Sequence, residues 1–140
     1  MKKIGELGEE IIAQYLINKG YEIIHQGWYC RWGEMDIIAQ KKPSNILIFV
    51  EVKTRSIKNW DNDGIYAITQ GKQKKLWLTA ESFLSKNSTL ATLNCRFDVA
   101  LLTYQKNIEN NRSINLIFEG SNIFYQGYKF KLVNYIENAF

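Results

Sequence analysis

The apolar positions of this chain switch between a helical and a strand period. Ile4, Leu7, Gly8, Ile11, Ile12, Tyr15 and Leu16 recur at three- and four-residue steps, and Gly20 follows as a stop. That spacing predicts an amphipathic helix over 4–19. Tyr21–Gln26 and Trp28–Arg31 read as short strands, and Gly33–Gln40 and Ile46–Thr54, rich in Ile, Val and Phe, as stronger ones. The polar Lys-Lys-Pro-Ser-Asn between the stronger pair reads as a hairpin loop. Residues 56–64 are polar and form a loop. Thr69–Ser85 carries a second helical stripe of Leu76, Trp77, Ala80, Phe83 and Leu84. Arg96–Thr103, Ile114–Glu119 and Lys129–Tyr135 follow as strands, with an Asn-rich loop over 105–112 and a short end from Ile136. No repeat or linker interrupts this order. It predicts one α/β domain over 1–140, a mixed central sheet flanked by helices.

Composition adds little until its distribution is considered. The 140 residues suit a single core that needs no disulfide or metal staple. The two cysteines, Cys30 and Cys95, form no Cys-x-x-Cys pair, which argues against a zinc site and suits a reducing cytoplasm. No long apolar run predicts a membrane span or signal peptide, so a cytoplasmic location is expected. The net charge of +4 permits a polyanionic partner without requiring one. Its placement says more: Lys53, Arg55, Lys58, Lys72, Lys74 and Lys75 cluster within 52–75 against Asp61 and Asp63.

Charges inside the two strong strands carry the candidate chemistry. Glu51 and Lys53 point to one face because side chains alternate along a strand, with their Cα atoms roughly 6.5–7 Å apart. Reflection about the loop centre near Pro43 sets Asp36 opposite Val50, within one or two residues. Asp36 and Glu51 then approach to about 5–8 Å as cross-strand neighbours. Two carboxylates that close repel unless a cation lies between them. Mg²⁺ suits one or two carboxylates, with Mn²⁺ as a substitute and the Val52 carbonyl as a further oxygen ligand. Lys53 could orient or help deprotonate a water, or offset charge on a phosphate. The same residues could instead form a cross-strand ion-pair cluster, although charges in such apolar strands are costly to bury unless paired or metal-bound.

The helices add further candidates. Glu9 lies on the shoulder of the first apolar stripe and can look inward, while Glu6 and Glu10 point towards solvent. Gln73 falls inside the second stripe, where it needs a polar partner, backbone or substrate. Arg55, Lys72, Gln73 and Lys74 are the candidate nucleic-acid contacts, Lys72 at the stripe's edge and Lys74 facing outward. Trp28, Trp32 and above all Trp60 could stack on bases if exposed. His25, the single histidine, has no partner at triad spacing.

Several segments together resemble a known family: Gly5-Glu6-Leu7-Gly8-Glu9, Cys30-Arg31-Trp32-Gly33-Glu34-Met35-Asp36, Phe49-Val50-Glu51-Val52-Lys53-Thr54-Arg55, Lys72-Gln73-Lys74-Lys75 and Arg96-Phe97-Asp98. Their order is similar to the bacterial UPF0102 (YraN-like) family, which is assigned to the PD-(D/E)xK, restriction-endonuclease-like superfamily. The match covers about residues 5–103 and leaves the tail over 104–140 largely outside it. The resemblance implies an αβββαβ nuclease core similar to archaeal Holliday-junction resolvases. By position it implies Glu9, Asp36, Glu51 and Lys53 as the catalytic set. A DNA endonuclease acting on branched or damaged structures is therefore the expectation. A nucleic-acid-binding protein that keeps the fold without cutting is the alternative, and a protein-interaction domain a third. Nucleases of this type often use two copies to engage two strands, so a homodimer is also on the table. The chain departs from the family in having Gly27 where Asn is usual, and Trp32-Gly33-Glu34 where Gly-Gly-Glu is usual. Asp98 matches a family motif and is expected to pair with an arginine.

Overall fold

The computed structural model describes residues 2–42, 44–59, 68–107 and 114–140. Pro43, Trp60 and the parts of the two expected loops at 60–64 and 108–112 lie outside the described residues. Helix α1 (Ile4–Asn18) is followed by strands β1 (Glu22–Cys30), β2 (Gly33–Lys41) and β3 (Ile46–Ser56). Helix α2 (Gln70–Lys86), β4 (Asn94–Lys106) and the short strands β5 (Ile117–Glu119), β6 (Asn122–Tyr125) and β7 (Tyr128–Ile136) complete it.

Among the described residues the strands form one seven-stranded sheet in the order β1-β2-β3-β4-β7-β6-β5. β3 and β4 pair in parallel at its centre, and every other pairing is antiparallel. The mixed sheet with flanking helices is consistent with the restriction-endonuclease-like core that the motif order implied.

Each helix buries its stripe on one sheet face. Leu7, Ile11, Ile12, Ala13 and Leu16 of α1 pack with Ile37, Ala39, Ile48, Val50 and Leu102. Leu76, Ala80 and Phe83 of α2 pack with Met35, Leu47, Phe49, Phe97 and Val99. β3 contributes alternate residues to both clusters, so it reads as a nearly continuous apolar run, as a strand buried on two faces should. Thr69 caps α2, its hydroxyl accepting the Lys72 N–H at 3.2 Å. Trp77, expected in the core, is 46% exposed and covers Phe97 edge-on, 4.5 Å between ring centroids.

The remaining differences from the sequence reading lie at strand ends and edges. The two short runs before Arg31 join into the single strand β1, with an irregularity between Ile23 and His25. β4 extends beyond the expected 96–103 at both ends. Ile114–Glu119 yields a strand only over Ile117–Glu119, and β6 is an additional element. The β2–β3 hairpin pairs Ile37, not Asp36, with Val50. This one-step shift sets Asp36 level with Glu51.

Candidate active site

The site occupies the fork where β2 and β3 separate. Their backbone ladder ends at the Ile37–Val50 pair. Beyond it the Asp36 side chain replaces the β2 backbone, its Oδ2 accepting the Val52 N–H at 2.8 Å. The N–H and C=O of an extended residue point to the same side, so the Val52 carbonyl also faces the fork. Glu51 stands level with Asp36 and is near enough to raise its carboxyl.

Helix α1 brings a further carboxylate to this fork. It can approach closely because residue 8 is glycine: a Cβ there would run directly into Thr54 Oγ1 and lie 3.3 Å from Leu102. The next residue, Glu9, then reaches Asp36. Carboxylate oxygens of Glu9, Glu34 and Asp36 all lie within 4.8 Å of one another. Glu34 was not among the residues singled out for catalysis, although it precedes Asp36 by two positions and so shares its face. Gly27, on the adjacent strand, has φ +64°, and a Cβ at its position would sit 3.3 Å from Glu34 Oε1.

The electrostatics are those of crowded, partly buried acids. Burial, then the nearby Asp36 and Glu34 carboxylates, push the Glu9 carboxyl up to about 8. Burial, then Glu51, push Asp36 well above the usual carboxylate range, against an opposing pull from the Val52 N–H and Lys53. Glu34 is raised as well, by burial and Asp36. Lys53 is only 7% exposed and lies below its ordinary value, first because it is desolvated and next because the Lys72 charge is near. Among the described residues it forms no ion pair. A salt-bridge cluster would hold its carboxyls below their usual range and its lysine above; the shifts here run the other way. The crowded Glu9, Glu34 and Asp36 carboxylates, with Glu51 beside Asp36, instead offer a choice of hard oxygen donors, which fits Mg²⁺.

The other candidates divide. Lys72 and Arg55 come close enough to depress Lys53 and join the site's rim; Lys74 is exposed. Gln73 donates to the Ile68 carbonyl at 3.2 Å, so at least one of its polar atoms is used within the chain. Trp28 packs edge-on against Phe83. Trp32 is exposed with the Arg31 guanidinium 4.5 Å over its ring. Glu10, expected in solvent, is tied down by Lys2 at 2.9 Å and the Tyr125 hydroxyl at 2.6 Å. Asp98 pairs with an arginine: it is buried, takes a bidentate bond from Arg96 at 2.8 and 3.0 Å, and accepts from Tyr135 and the Asn138 N–H.

The segment holding Glu9, Asp36, Glu51 and Lys53 also decides the chain's relationships. Residues 8–102 match the uncharacterised protein family UPF0102. The chain belongs to the UPF0102 family. A UPF0102 protein of a Nostoc species is 46% identical over 98% of this chain and 93% of its own length. One from Trichodesmium erythraeum is 43% identical over 97% of this chain and 87% of its own. Another, from Acaryochloris marina, is 42% identical over 99% and 90% respectively. The UPF0102 match runs from Gly8 within α1 through α2 to most of β4, and so includes every residue of the fork. No helix among the described residues is long and apolar enough to cross a membrane.

Proposed function

We propose that this UPF0102 chain is a Mg²⁺-dependent endonuclease that cleaves DNA phosphodiester bonds at branched or damaged structures. The observation that carries the reading is the crowded cluster of Glu9, Glu34 and Asp36 beside the buried amine of Lys53. Asp36 and Glu51, with the Val52 carbonyl, would hold Mg²⁺, which when bound supplies positive charge for the scissile phosphate and a water of lowered pKa. Glu9 and Glu34 complete the anionic wall and accept hydrogen bonds from water in the site. Lys53 donates to a non-bridging phosphate oxygen and positions the attacking water. Water oxygen bonds to phosphorus, the bond to the leaving sugar oxygen breaks, and one water proton ends on that oxygen. Arg55 and Lys72 at the rim, with the exposed Lys74, take flanking phosphates. A homodimer would present two such forks to two strands.

The test incubates the purified chain with linear duplex, single-stranded, flapped and four-way-junction DNA, with Mg²⁺ or Mn²⁺. Cleavage that EDTA stops is the expected result. Intact binding without cleavage of any substrate would reject the enzymatic reading in favour of a nucleic-acid-binding protein.

A further inference from the structure

The C-terminal ends of β3 and β4 open onto a cavity of about 800 Å³, separate from the acid cluster. Lys58, Lys106 and Lys129 line it, against one acid among the described lining residues, Glu119. None of the three lysines takes part in an ion pair among the described residues. Among the described residues the lining is basic on balance, which suits a polyanion.

The wall of the cavity is aromatic. Tyr104 and Tyr128 brace each other edge-on, 5.9 Å between centroids, and both rest on the buried Phe130. Phe124 is different. It is half-buried, belongs to neither core cluster and makes no ring–ring contact among the described residues. A core role therefore does not account for it, and its ring lines the cavity.

Sheet register connects Lys129 and Phe124 to the fork, on the face opposite Tyr104 and Tyr128. Arg55 follows Lys53 on one face of β3 and pairs with Thr103. Gln105, next on that face of β4, pairs with Lys129, which pairs with Phe124. Lys53, Arg55, Lys129 and Phe124 thus share a sheet face. At ~3.3 Å per residue and ~4.8 Å between strands, Phe124 lies roughly 20 Å from Lys53.

We propose that this groove is a second DNA subsite that takes an unpaired strand, with phosphates on Lys58, Lys106 and Lys129 and a base stacked on Phe124. The proposal rests on the reading of the chain as a DNA-cleaving protein and narrows its substrate to DNA with a single-stranded arm. Base faces in a duplex are hidden in the stack, so an aromatic wall is useful only to an unpaired strand.

The test measures binding of a short labelled oligothymidylate, by anisotropy in EDTA, alongside a blunt duplex of mixed sequence. Phe124→Ala should weaken oligothymidylate binding about tenfold, and Phe124→Trp should preserve it. Lys129→Gln, which leaves the ring in place, should reduce the salt slope by ~0.7. Lys42→Gln, at the opposite end of β3, should leave the slope unchanged. Blunt-duplex affinity should change far less than that for the oligothymidylate. Wild-type oligothymidylate binding in both Phe124→Ala and Lys129→Gln, or equal losses for the two DNAs, would overturn the proposal. A wild-type chain that cuts nothing while these variants behave as expected fails the nuclease reading and upholds the groove; a cutting chain with unaffected variants does the reverse.

Discussion

Two charged residues inside the core ask opposite things of their surroundings. Lys53 is buried and has no ion-pair partner among the described residues, so its ammonium is a burden on the apo fold. Lys53→Met keeps most of the stem and removes the charge. It should leave the stability unchanged or higher in urea denaturation, while DNA cleavage falls at least ~100-fold. DNA affinity should hold; if it falls in step with cleavage, together with a shallower salt slope, Lys53 is a phosphate contact and no more. Asp98 is the contrary case, since each of its oxygens accepts bonds from Arg96 and from a second donor. Asp98→Ala leaves the Arg96 guanidinium with only Tyr21 and Glu137 among its described partners and removes the acceptor of Tyr135 and Asn138, and should cost about 3–5 kcal/mol of stability. A loss below about 1 kcal/mol in urea denaturation would contradict that assignment. The two residues therefore separate by assay, one through turnover and the other through unfolding.

At the scale of elements, the α1–β3 crossing places the Glu9 carboxylate. In an exposed helix interior Gly→Ala gains about 1 kcal/mol. At residue 8 the sign should reverse, because the new methyl meets Thr54 Oγ1. Gly8→Ala should lose about 1–3 kcal/mol by overpacking, and adding Thr54→Ala should recover much of it. The Thr54 hydroxyl is buried without a hydrogen-bond partner, so its removal leaves no donor or acceptor stranded. Denaturation midpoints of the two single variants and the double variant would show non-additivity; strictly additive losses would mean the contact is not shared. Helix stripes and the β2–β3 pairing were legible from local periodicity, which drew Asp36, Glu51 and Lys53 together and turned Glu9 inward; the family resemblance joined the four as one set. Glu34 was harder to see. It is exposed, and its nearness to Glu9 depends on the approach of α1. The end of the ladder at Ile37–Val50 leaves no mark in the hydrophobic pattern, and the four residues of β6 are too few to show a period. Gly27 is legible in retrospect: at φ +64° glycine and asparagine are the residues best tolerated, so its replacement of the family's Asn keeps the backbone geometry.

For the whole molecule, the sheet orders the chemistry along one direction: an acid fork between β2 and β3, Lys53 beside it, and the basic aromatic groove beyond the ends of β3 and β4. The fork also couples to global stability. In the folded chain Glu9 is held up at about 8 and Asp36 is raised with it, whereas in the unfolded chain both titrate near ~4. Between those values the folded chain keeps protons that the unfolded chain has lost, so unfolding releases protons and stability falls as pH rises through the window. The lowered Lys53 acts in the opposite sense, but only towards the ordinary lysine range near ~10.4. Without metal, the melting temperature should therefore decline from pH 5 to pH 8. Mg²⁺ binds the deprotonated carboxylates and competes with their protons, so its stabilisation should be absent at pH 5 and grow towards pH 8. At a hundredfold excess over its Kd the gain is about 2.7 kcal/mol. Asp36→Asn removes one of the crowded charges and should both flatten the metal-free decline and abolish the Mg²⁺ response. Differential scanning calorimetry of the two proteins at pH 5 and pH 8, with and without Mg²⁺, reads all three effects. An Mg²⁺ response that survives in Asp36→Asn would place the cation elsewhere in the molecule.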